Sequence, residues 1–208
     1  MVIEPIRLHT SDELALEAEL SVPPDPRAAV VLAHPHPRQG GNMRSIVPGA
    51  LFAALPGLGV AALRFNFRGV EGSEGSYGGG IGERHDIVAA VGALHDVTEG
   101  LPLVLAGWSF GADTSLAVVD ERITAWMAIA PPLRTAPIED LVASADPRAK
   151  LLVVGDHDQY RPPEQARPLV AAWVNTELEV VAGADHFFVG RTDRLVELAV
   201  AYVDRLTR

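Results

Sequence analysis

The chain has 208 residues, 48% of them hydrophobic and 21% charged, which is typical of one globular domain with a core of ordinary size. Its formal net charge of −10 argues against binding to a polyanion such as nucleic acid. The sequence contains no cysteine and one lysine, Lys150, which excludes a cysteine nucleophile, thiolate metal sites, disulfides and a phosphate-binding loop of the G-x-x-x-x-G-K type.

Short aliphatic runs alternate along the chain with longer amphipathic segments, the pattern of an α/β protein with helices on both faces of a mostly parallel sheet. Eight strands are predicted, at Ile6–His9, Leu14–Ser21, Ala28–Ala33, Val60–Phe65, Pro102–Gly107, Ala125–Ala130, Leu151–Gly155 and Leu178–Ala182. The first two alternate polar and apolar residues, as antiparallel edge strands do, whereas several later strands are continuously apolar. We therefore expect a mixed sheet.

The helical spacing of apolar residues predicts helices at Ser45–Leu55, Ile81–Glu99, Ser109–Asp120, Ile138–Ala143, Pro163–Val174 and Thr192–Leu206. Segment 69–82 has seven glycines in fourteen residues, and we interpret it as a loop between a strand and a helix. The sequence does not begin with a basic stretch followed by an apolar one, and no run of about 18 apolar residues occurs. We therefore expect a cytoplasmic protein that does not associate with membranes.

The strongest local motif is the pentapeptide Gly-Trp-Ser-Phe-Gly at residues 107–111, between an apolar strand and a predicted helix. In a sharp turn of this kind the serine has an unfavourable backbone conformation and its hydroxyl is lifted above the sheet. The residues two before and two after the serine must be small, because neighbouring backbones approach them closely. Gly107 and Gly111 meet this requirement, which makes Ser109 the candidate nucleophile.

A serine hydroxyl needs a base to take its proton and an acid to orient that base. His186 lies in the loop after the last predicted strand, and Asp156 and Asp158 follow the strand before it. Both loops leave the carboxyl edge of the sheet, where the catalytic groups of open α/β sheets collect. Asp156 directly ends its strand and is interpreted as a turn residue, and Asp185, beside the base, is interpreted as a loop residue.

Six segments, LAHPHPRQGGN, LRFNFRGVEGSEG, GWSFGA, IAPPL, GDHDQ and GADHFF, occur in this order. Together they resemble small bacterial α/β-hydrolases that lack a cap domain, and the resemblance extends over the whole chain. It implies one α/β-hydrolase domain over residues 1–208 and a serine hydrolase with a triad of Ser109, Asp158 and His186. Asp158 matches the acid of the family's G-x-x-D pattern, which starts at Gly155. We expect no cofactor.

Acyl transfer passes through an intermediate with a negative oxygen, which this fold binds with two backbone N–H groups. The first is expected from Phe110, the residue after the nucleophile. The second is expected from the loop after the strand VVLA, where Pro35 and Pro37 have no N–H. His36 is therefore the expected donor, and Arg38 is the alternative.

The same loop also permits a metal site, because His34 and His36 are separated by one residue. Arg38 and Gln39 occupy the places where a metallo-β-lactamase-like pattern would continue with aspartate and histidine. We therefore expect no metal and interpret His34 as a residue that orders the loop.

Two further charged residues are interpreted as structural. Arg68 follows a predicted parallel strand and is expected to brace its loop through Glu74 or Glu83, although binding of a substrate carboxylate stays open. Asp113 lies about one turn into the nucleophile helix, where a carboxylate interacts favourably with the helix N-terminus.

Segment 131–150, between the sixth and seventh predicted strands, is too short for the helical cap that many relatives insert there. We expect an open groove that takes one small apolar acyl group of a small-molecule ester or thioester. Its expected lining residues are Met43, Trp108, Phe110, Pro131, Tyr160 and Phe187. Two alternatives stay open: a peptidase or amidase with the same triad, and a non-catalytic binding module on this fold. A homodimer is also left open.

Overall fold

A computed structural model describes residues 2–135, 137 and 140–208. In this part of the chain the strands are β1 (Glu4–His9), β2 (Ala15–Ser21), β3 (Ala28–Ala33), β4 (Val60–Phe65), β5 (Leu103–Trp108), β6 (Ala125–Ile129), β7 (Ala149–Gly155) and β8 (Thr176–Val181). The α-helices are α1 (Ile46–Ala54), α2 (Glu83–Val97), α3 (Phe110–Leu116), α4 (Pro163–Val170) and α5 (Thr192–Leu206). Short 3-10 helices cover Pro37–Gln39, Leu55–Leu58 and Val142–Ala145.

The described strands form one mixed sheet in the order β1-β2-β4-β3-β5-β6-β7-β8. β2 pairs antiparallel with both β1 and β4, and the pairs from β4 through β3, β5, β6 and β7 to β8 are parallel. The predicted mixed sheet, with its antiparallel strands at the first edge, is confirmed. β2 alternates half-buried and buried residues, whereas all six residues of β3 are buried.

The sheet separates two hydrophobic cores. Along β3, Ala29, Val31 and Ala33 belong to the core shared with α2 and α3, while the alternate residues Val30 and Leu32 belong to the core shared with α1 and α5. Successive side chains of a strand point to opposite faces, so a central strand covered on both sides has to be apolar throughout. This explains the continuous aliphatic runs of the central strands.

Three helix predictions differ from the structure by more than two residues. The sequence predicts that the helix after Ser109 reaches Asp120, but it ends at Leu116, and the Val118 carbonyl beyond it accepts a hydrogen bond from the Trp126 indole at 3.2 Å. α4 ends at Val170 instead of Val174 because the chain turns there toward β8. The short helix predicted near Ile138–Ala143 falls partly outside the described residues, and its described neighbourhood forms the 3-10 helix Val142–Ala145.

No cap domain covers the carboxyl edge of the sheet in the described part of the chain. β6 and β7 are joined by residues 130–148, the segment for which the sequence predicts no helical cap. The edge where β5, β7 and β8 end is therefore open above the loops that follow these strands. None of the described helices has the length and apolarity needed to cross a membrane.

Candidate active site

Ser109 occupies the sharp turn between β5 and α3. Its backbone angles, φ 55° and ψ −118°, are unusual for a residue other than glycine. A Cβ atom on Gly107 would lie 2.3 Å from the Gly111 carbonyl oxygen, and one on Gly111 would lie 2.5 Å from the Ala33 carbonyl oxygen. Both positions therefore exclude any larger residue, which is why the strained serine is flanked by glycines.

The loops after β7 and β8 bring an imidazole and a carboxylate to this serine. His186 Nε2 lies 2.9 Å from Ser109 Oγ, and His186 Nδ1 lies 2.9 Å from Asp158 Oδ2. Residues 77 and 28 positions apart in sequence thus form one chain of hydrogen bonds. Asp158 and His186 are buried, while Ser109 is half-buried and faces a cavity.

The protonation pattern of this chain follows from the partners of Asp158. Its Oδ1 atom accepts hydrogen bonds from the backbone N–H groups of Tyr160 at 2.8 Å and Arg161 at 3.0 Å. Burial opposes ionisation of Asp158, but the hydrogen bonds from His186 and from these N–H groups outweigh it and lower the pKa of the carboxyl group. An ionised Asp158 can only accept, so Nδ1 carries the proton and Nε2 is free to accept the Ser109 hydroxyl proton.

The imidazole of His186 is held on several sides. The Trp108 indole donates to the His186 carbonyl at 3.0 Å, which connects His186 to the residue before Ser109. The Tyr160 ring centre lies 4.4 Å from the imidazole centre, and the Phe187 ring lies 5.5 Å away, edge to face. Packing of this kind restricts the ring to the rotamer that reaches Ser109.

The other acidic residues near the base have local roles. Asp156 is exposed at the end of β7, and hydrogen bonds from the backbone of Gly183 lower the pKa of its carboxyl group. Asp185 accepts a hydrogen bond from the Phe187 N–H at 3.0 Å, within its own turn. Neither carboxylate has a hydrogen bond to His186 in the described structure, so the geometry singles out Asp158.

The two backbone N–H groups expected to bind the negative oxygen both belong to residues that line the cavity. Those of His36 and Phe110 have no acceptor among the described residues. The N–H of Arg38, the alternative donor, already donates to His36 Nδ1 at 3.1 Å. Gly41 closes this loop so tightly that a Cβ atom there would lie 2.2 Å from the Pro35 carbonyl oxygen.

His34 fixes the first residues of the same loop. Its Nδ1–H donates to the Pro35 carbonyl at 2.6 Å, and its Nε2 accepts the Phe67 N–H at 3.0 Å. Burial lowers the pKa of His34 to about 4, against the hydrogen bond to Pro35. Both ring nitrogens serve backbone groups, which leaves no lone pair for the metal site that the His34-x-His36 spacing allowed. Among the described residues, no group of three His, Cys, Asp or Glu is placed to hold a metal ion.

The glycine-rich segment 69–82 packs against this donor loop. Tyr77 lies with its ring centre 5.1 Å from that of His36 and 5.8 Å from that of Phe110, and the His36 Nε2–H donates to the Tyr77 hydroxyl at 3.3 Å. The buried carboxylate of Glu83 accepts the N–H groups of Gly78 and Gly80 at 2.7 and 2.8 Å. The segment is thus a pinned loop that supports the cavity wall.

Arg68 braces its loop as expected, but with other partners than Glu74 and Glu83. Its guanidinium group binds Asp86 at 2.7 Å and Asp12 at 2.8 Å. Glu74 instead accepts from the Ala15 N–H, while Glu83 binds the glycine-rich segment. Arg68 is nearly buried between these two aspartates, so it has no free face for a substrate carboxylate.

Asp113 clamps the chain that follows β6. Its carboxylate accepts the N–H groups of Leu133, Arg134 and Thr135 at 2.9 to 3.0 Å. Burial raises the pKa of Asp113, against the three N–H donors that favour its ionised form. The expected structural role of Asp113 thus extends beyond the helix start to one wall of the cavity.

The cavity above Ser109 has a volume of about 320 Å³. Of the residues expected in its lining, Trp108, Phe110, Tyr160 and Phe187 are present. The lining also includes Pro35, His36, Gln39, Gly40, Gly41, Ser45, Pro132, Arg134 and Thr135. The sequence contained a signal for the last three, because they follow β6 at the same carboxyl edge as the catalytic loops.

Two expected lining residues lie elsewhere, and this is a correction. Met43 is fully buried, and its N–H donates to Asn66 Oδ1 at 2.8 Å, which holds this part of the chain inside the protein. Pro131 is buried as well. Ala130 has φ 44° and turns the chain directly after β6, so that Pro132 instead of Pro131 reaches the cavity.

This chain is similar in fold and in sequence to proteins of known structure. The chain is 33% identical to an α-β serine hydrolase homologue from Coxiella burnetii, with a TM-score of 0.87, over 97% of this chain and 98% of that one. The chain belongs to the α/β-hydrolase superfamily. The α/β hydrolase is also 27% identical to a lidless α/β serine hydrolase from Xanthomonas campestris, with a TM-score of 0.84 over 98% and 94% of the two chains.

A curated relative of this α/β hydrolase is an uncharacterized protein of Rickettsia prowazekii. The two sequences are 31% identical over 189 residues, which is 86% of this chain and 79% of the relative. No protein-family profile matches the chain. The solved neighbours support a hydrolase of this fold, and its substrate has to be argued from the cavity.

Proposed function

We propose that this α/β hydrolase cleaves carboxylic esters or thioesters of small acyl groups through an acyl-enzyme on Ser109. The observation that carries the proposal is the chain of two 2.9 Å hydrogen bonds from Ser109 Oγ through His186 to Asp158, at the floor of an open cavity. A base within reach of a hydroxyl, itself oriented by a third group, is the arrangement that activates a serine nucleophile.

In the first half of the proposed reaction, Ser109 Oγ attacks the carbonyl carbon of the ester. Its proton passes to His186 Nε2, and Asp158 stabilises the imidazolium that forms without taking the proton. The carbonyl electrons move to the oxygen, which becomes negative. The backbone N–H groups of Phe110 and His36 then bind this oxygen, and each such donor contributes about 100- to 1,000-fold to the rate.

In the second half the intermediate collapses, and the carbon–oxygen or carbon–sulfur bond to the leaving group breaks. His186 gives its proton to the leaving alkoxide or thiolate and becomes a base again. A water molecule then attacks the carbonyl carbon of the acyl-enzyme, and His186 takes the proton of the water. The bond between this carbon and Ser109 Oγ breaks, and His186 returns the proton to Ser109. The products are a carboxylic acid and an alcohol or thiol, and Ser109 regains its hydroxyl proton.

The cavity favours a small acyl group on an ester or thioester. A volume of about 320 Å³ lies at the small end of ligand sites, and the walls combine the aromatic rings of Trp108, Phe110 and Phe187 with polar groups. No aspartate or glutamate is present among the described residues that line the cavity. An aminopeptidase would need such a carboxylate to bind the ammonium group of its substrate, so the lining favours an ester over the substrate of an aminopeptidase.

The test is the mass of the intact protein after incubation with a fluorophosphonate, which reacts with activated serines. We expect one adduct, mapped to the peptide that contains Ser109 and absent in Ser109→Ala. Ser45→Ala is the matched control, because Ser45 lines the same cavity but its Oγ accepts only the Asn42 N–H at 3.1 Å. An adduct that persists in Ser109→Ala, or a folded protein that forms none, would contradict the proposal.

A further inference from the structure

The charge of the cavity lining is opposite to that of the protein. The chain has 27 acidic and 17 basic residues and a formal net charge of −10. Among the described residues that line the cavity there is no aspartate, glutamate or lysine, and there is one arginine, Arg134. The described part of the lining thus has no carboxylate, although acidic residues outnumber basic ones in the chain as a whole.

Arg134 is placed at this surface by two contacts. Its N–H donates to Asp113 Oδ2 at 3.0 Å, which anchors the backbone to a fully buried carboxylate. Its guanidinium carbon lies 5.4 Å from the centre of the Tyr160 ring, and that ring packs 4.4 Å from the imidazole of His186. The guanidinium group therefore lies on the same cavity wall as His186, with only the ring of Tyr160 between them.

The guanidinium group of Arg134 differs from those of other arginines near the sheet. Arg68, Arg122 and Arg148 each bind an aspartate at 2.7 to 2.8 Å. Arg134 forms no ion pair with a carboxylate of the described residues, and its side chain is exposed and lines the cavity.

We propose that Arg134 is a specificity-determining residue that binds an anionic group of the substrate. This inference rests on the proposed function and narrows its substrates to esters or thioesters that carry a carboxylate or phosphate. A guanidinium group presents its N–H donors in a planar fork that matches two oxygens of such an anion. Gln39 and Thr135, which also line the cavity, offer further hydrogen bonds to the same group.

The anion can belong to either end of the substrate. On the acyl side it would be the free carboxylate of a dicarboxylic half-ester, and on the leaving-group side a carboxylate or phosphate of the alcohol or thiol. Both present the same oxygens to Arg134. Two matched pairs of substrates distinguish them: ethyl glutarate half-ester against its neutral amide, and the acetate ester of 4-hydroxybenzoate against that of 4-hydroxybenzamide.

The experiment measures kcat/KM for the four esters in the wild-type protein, Arg134→Gln, Arg134→Lys and Arg167→Gln. Arg167 is the matched control, because it lies exposed on α4, does not line the cavity, and its substitution changes the net charge equally. In one of the two pairs, we expect Arg134→Gln to lower kcat/KM for the charged ester about tenfold and leave the neutral ester within about twofold. Arg134→Lys should keep part of the preference, and Arg167→Gln all of it.

The outcomes separate this inference from the function on which it rests. A charged-ester preference that disappears in Arg134→Gln supports it, and the pair that shows the effect locates the anion. Turnover of the neutral esters with no selective effect of Arg134→Gln on either charged ester would overturn the inference alone. An equal effect of Arg167→Gln would assign the preference to the overall charge and overturn it too. Absence of turnover of all four esters and of a Ser109 fluorophosphonate adduct would overturn both proposals.

Discussion

Asp113→Asn tests how the wall of the cavity that follows β6 is built. The Asp113 carboxylate accepts three backbone N–H groups, from Leu133 through Oδ1 and from Arg134 and Thr135 through Oδ2. An asparagine side chain has one oxygen and one NH2 group. In its better orientation the oxygen faces Arg134 and Thr135, and the NH2 group then points at the N–H of the buried Leu133.

The expected loss of stability follows from these contacts. Two donors face each other at Leu133, and each buried donor without an acceptor costs about 1–3 kcal/mol. The two remaining hydrogen bonds also weaken, because they lose a charged acceptor. Leu133 and Ala130 have φ values of 52° and 44°, so the clamped segment holds strained backbone that will relax when the clamp loosens. We expect a loss of about 2–4 kcal/mol in the free energy of unfolding, or at least about 4 °C in Tm for a chain of this size.

The assay combines urea unfolding with kcat/KM for a small neutral ester. Asp193→Asn is the control, because Asp193 is exposed in the first turn of α5 and loses only its interaction with the helix N-terminus, which contributes less than about 1 kcal/mol. We expect Asp113→Asn to lower both stability and kcat/KM, since Pro132, Arg134 and Thr135 line the cavity. If Asp113→Asn and Asp193→Asn had equal effects in both measurements, the hydrogen bonds of Asp113 would not stabilise the cavity wall.

The remaining predictions concern the triad, the serine turn and the donor loop. Asp158→Asn should lower kcat by about 10,000-fold through the wrong imidazole tautomer, whereas Asp156→Asn should stay within a few fold in the same ester assay. Gly107→Ala should lower the free energy of unfolding by more than about 3 kcal/mol in urea, because its Cβ atom would overlap the Gly111 carbonyl. Gly57→Ala is the control and should be tolerated, because a Cβ atom at Gly57 would have no heavy atom within 4 Å. With a folded pKa of about 4, below the ordinary 6.5, His34 stays neutral as pH falls from 7 to 5 while its unfolded counterpart takes up a proton. This group alone should therefore cost about 2 kcal/mol of stability over that range, and unfolding curves of His34→Asn should lack this part of the pH dependence.

The central strands could be predicted from the sequence because a strand that is buried on both faces of the sheet has to be apolar throughout. Runs such as Ala28–Ala33 are apolar throughout, and their strand bounds agree with the structure. The end of the helix after Ser109 could not be predicted, and the segment just beyond this end makes a tertiary contact. The Trp126 indole, in the next strand, donates a hydrogen bond to the carbonyl of Val118, eight residues away in sequence. No local sequence pattern predicts this hydrogen bond.

Some residues of the candidate site could be predicted from the sequence, and others could not because they depend on tertiary contacts. Ser109 and His186 could be proposed because each follows a recognisable strand at one edge of the sheet, whereas the choice of Asp158 over Asp156 depended on the resemblance to the family's G-x-x-D pattern. Met43 was wrong as a lining residue because its position depends on a hydrogen bond to Asn66, 23 residues away. The partners of Arg68 were missed for the same reason, since Asp12 is 56 residues distant and pairs with it only through the fold.

The missed cavity residues depend on backbone conformation. The sequence indicates that the residues after β6 reach the carboxyl edge, but which of them face the cavity depends on the positive φ of Ala130 and Leu133. Positive φ at a residue other than glycine has no signature in a single sequence. The arginine could be noted in the sequence, but its place beside Tyr160 could not.

The most direct test of the account is to trap the acyl-enzyme. A p-nitrophenyl acetate reaction, quenched with acid within milliseconds and analysed by intact mass and peptide mapping, should show one acetyl group on the peptide that contains Ser109. The activated ester makes acylation fast, so the intermediate should accumulate with a burst of nitrophenolate, and both should vanish in Ser109→Ala. Turnover by Ser109→Ala at the wild-type rate, or an acetyl group on another residue during turnover, would contradict the role of Ser109 as the nucleophile.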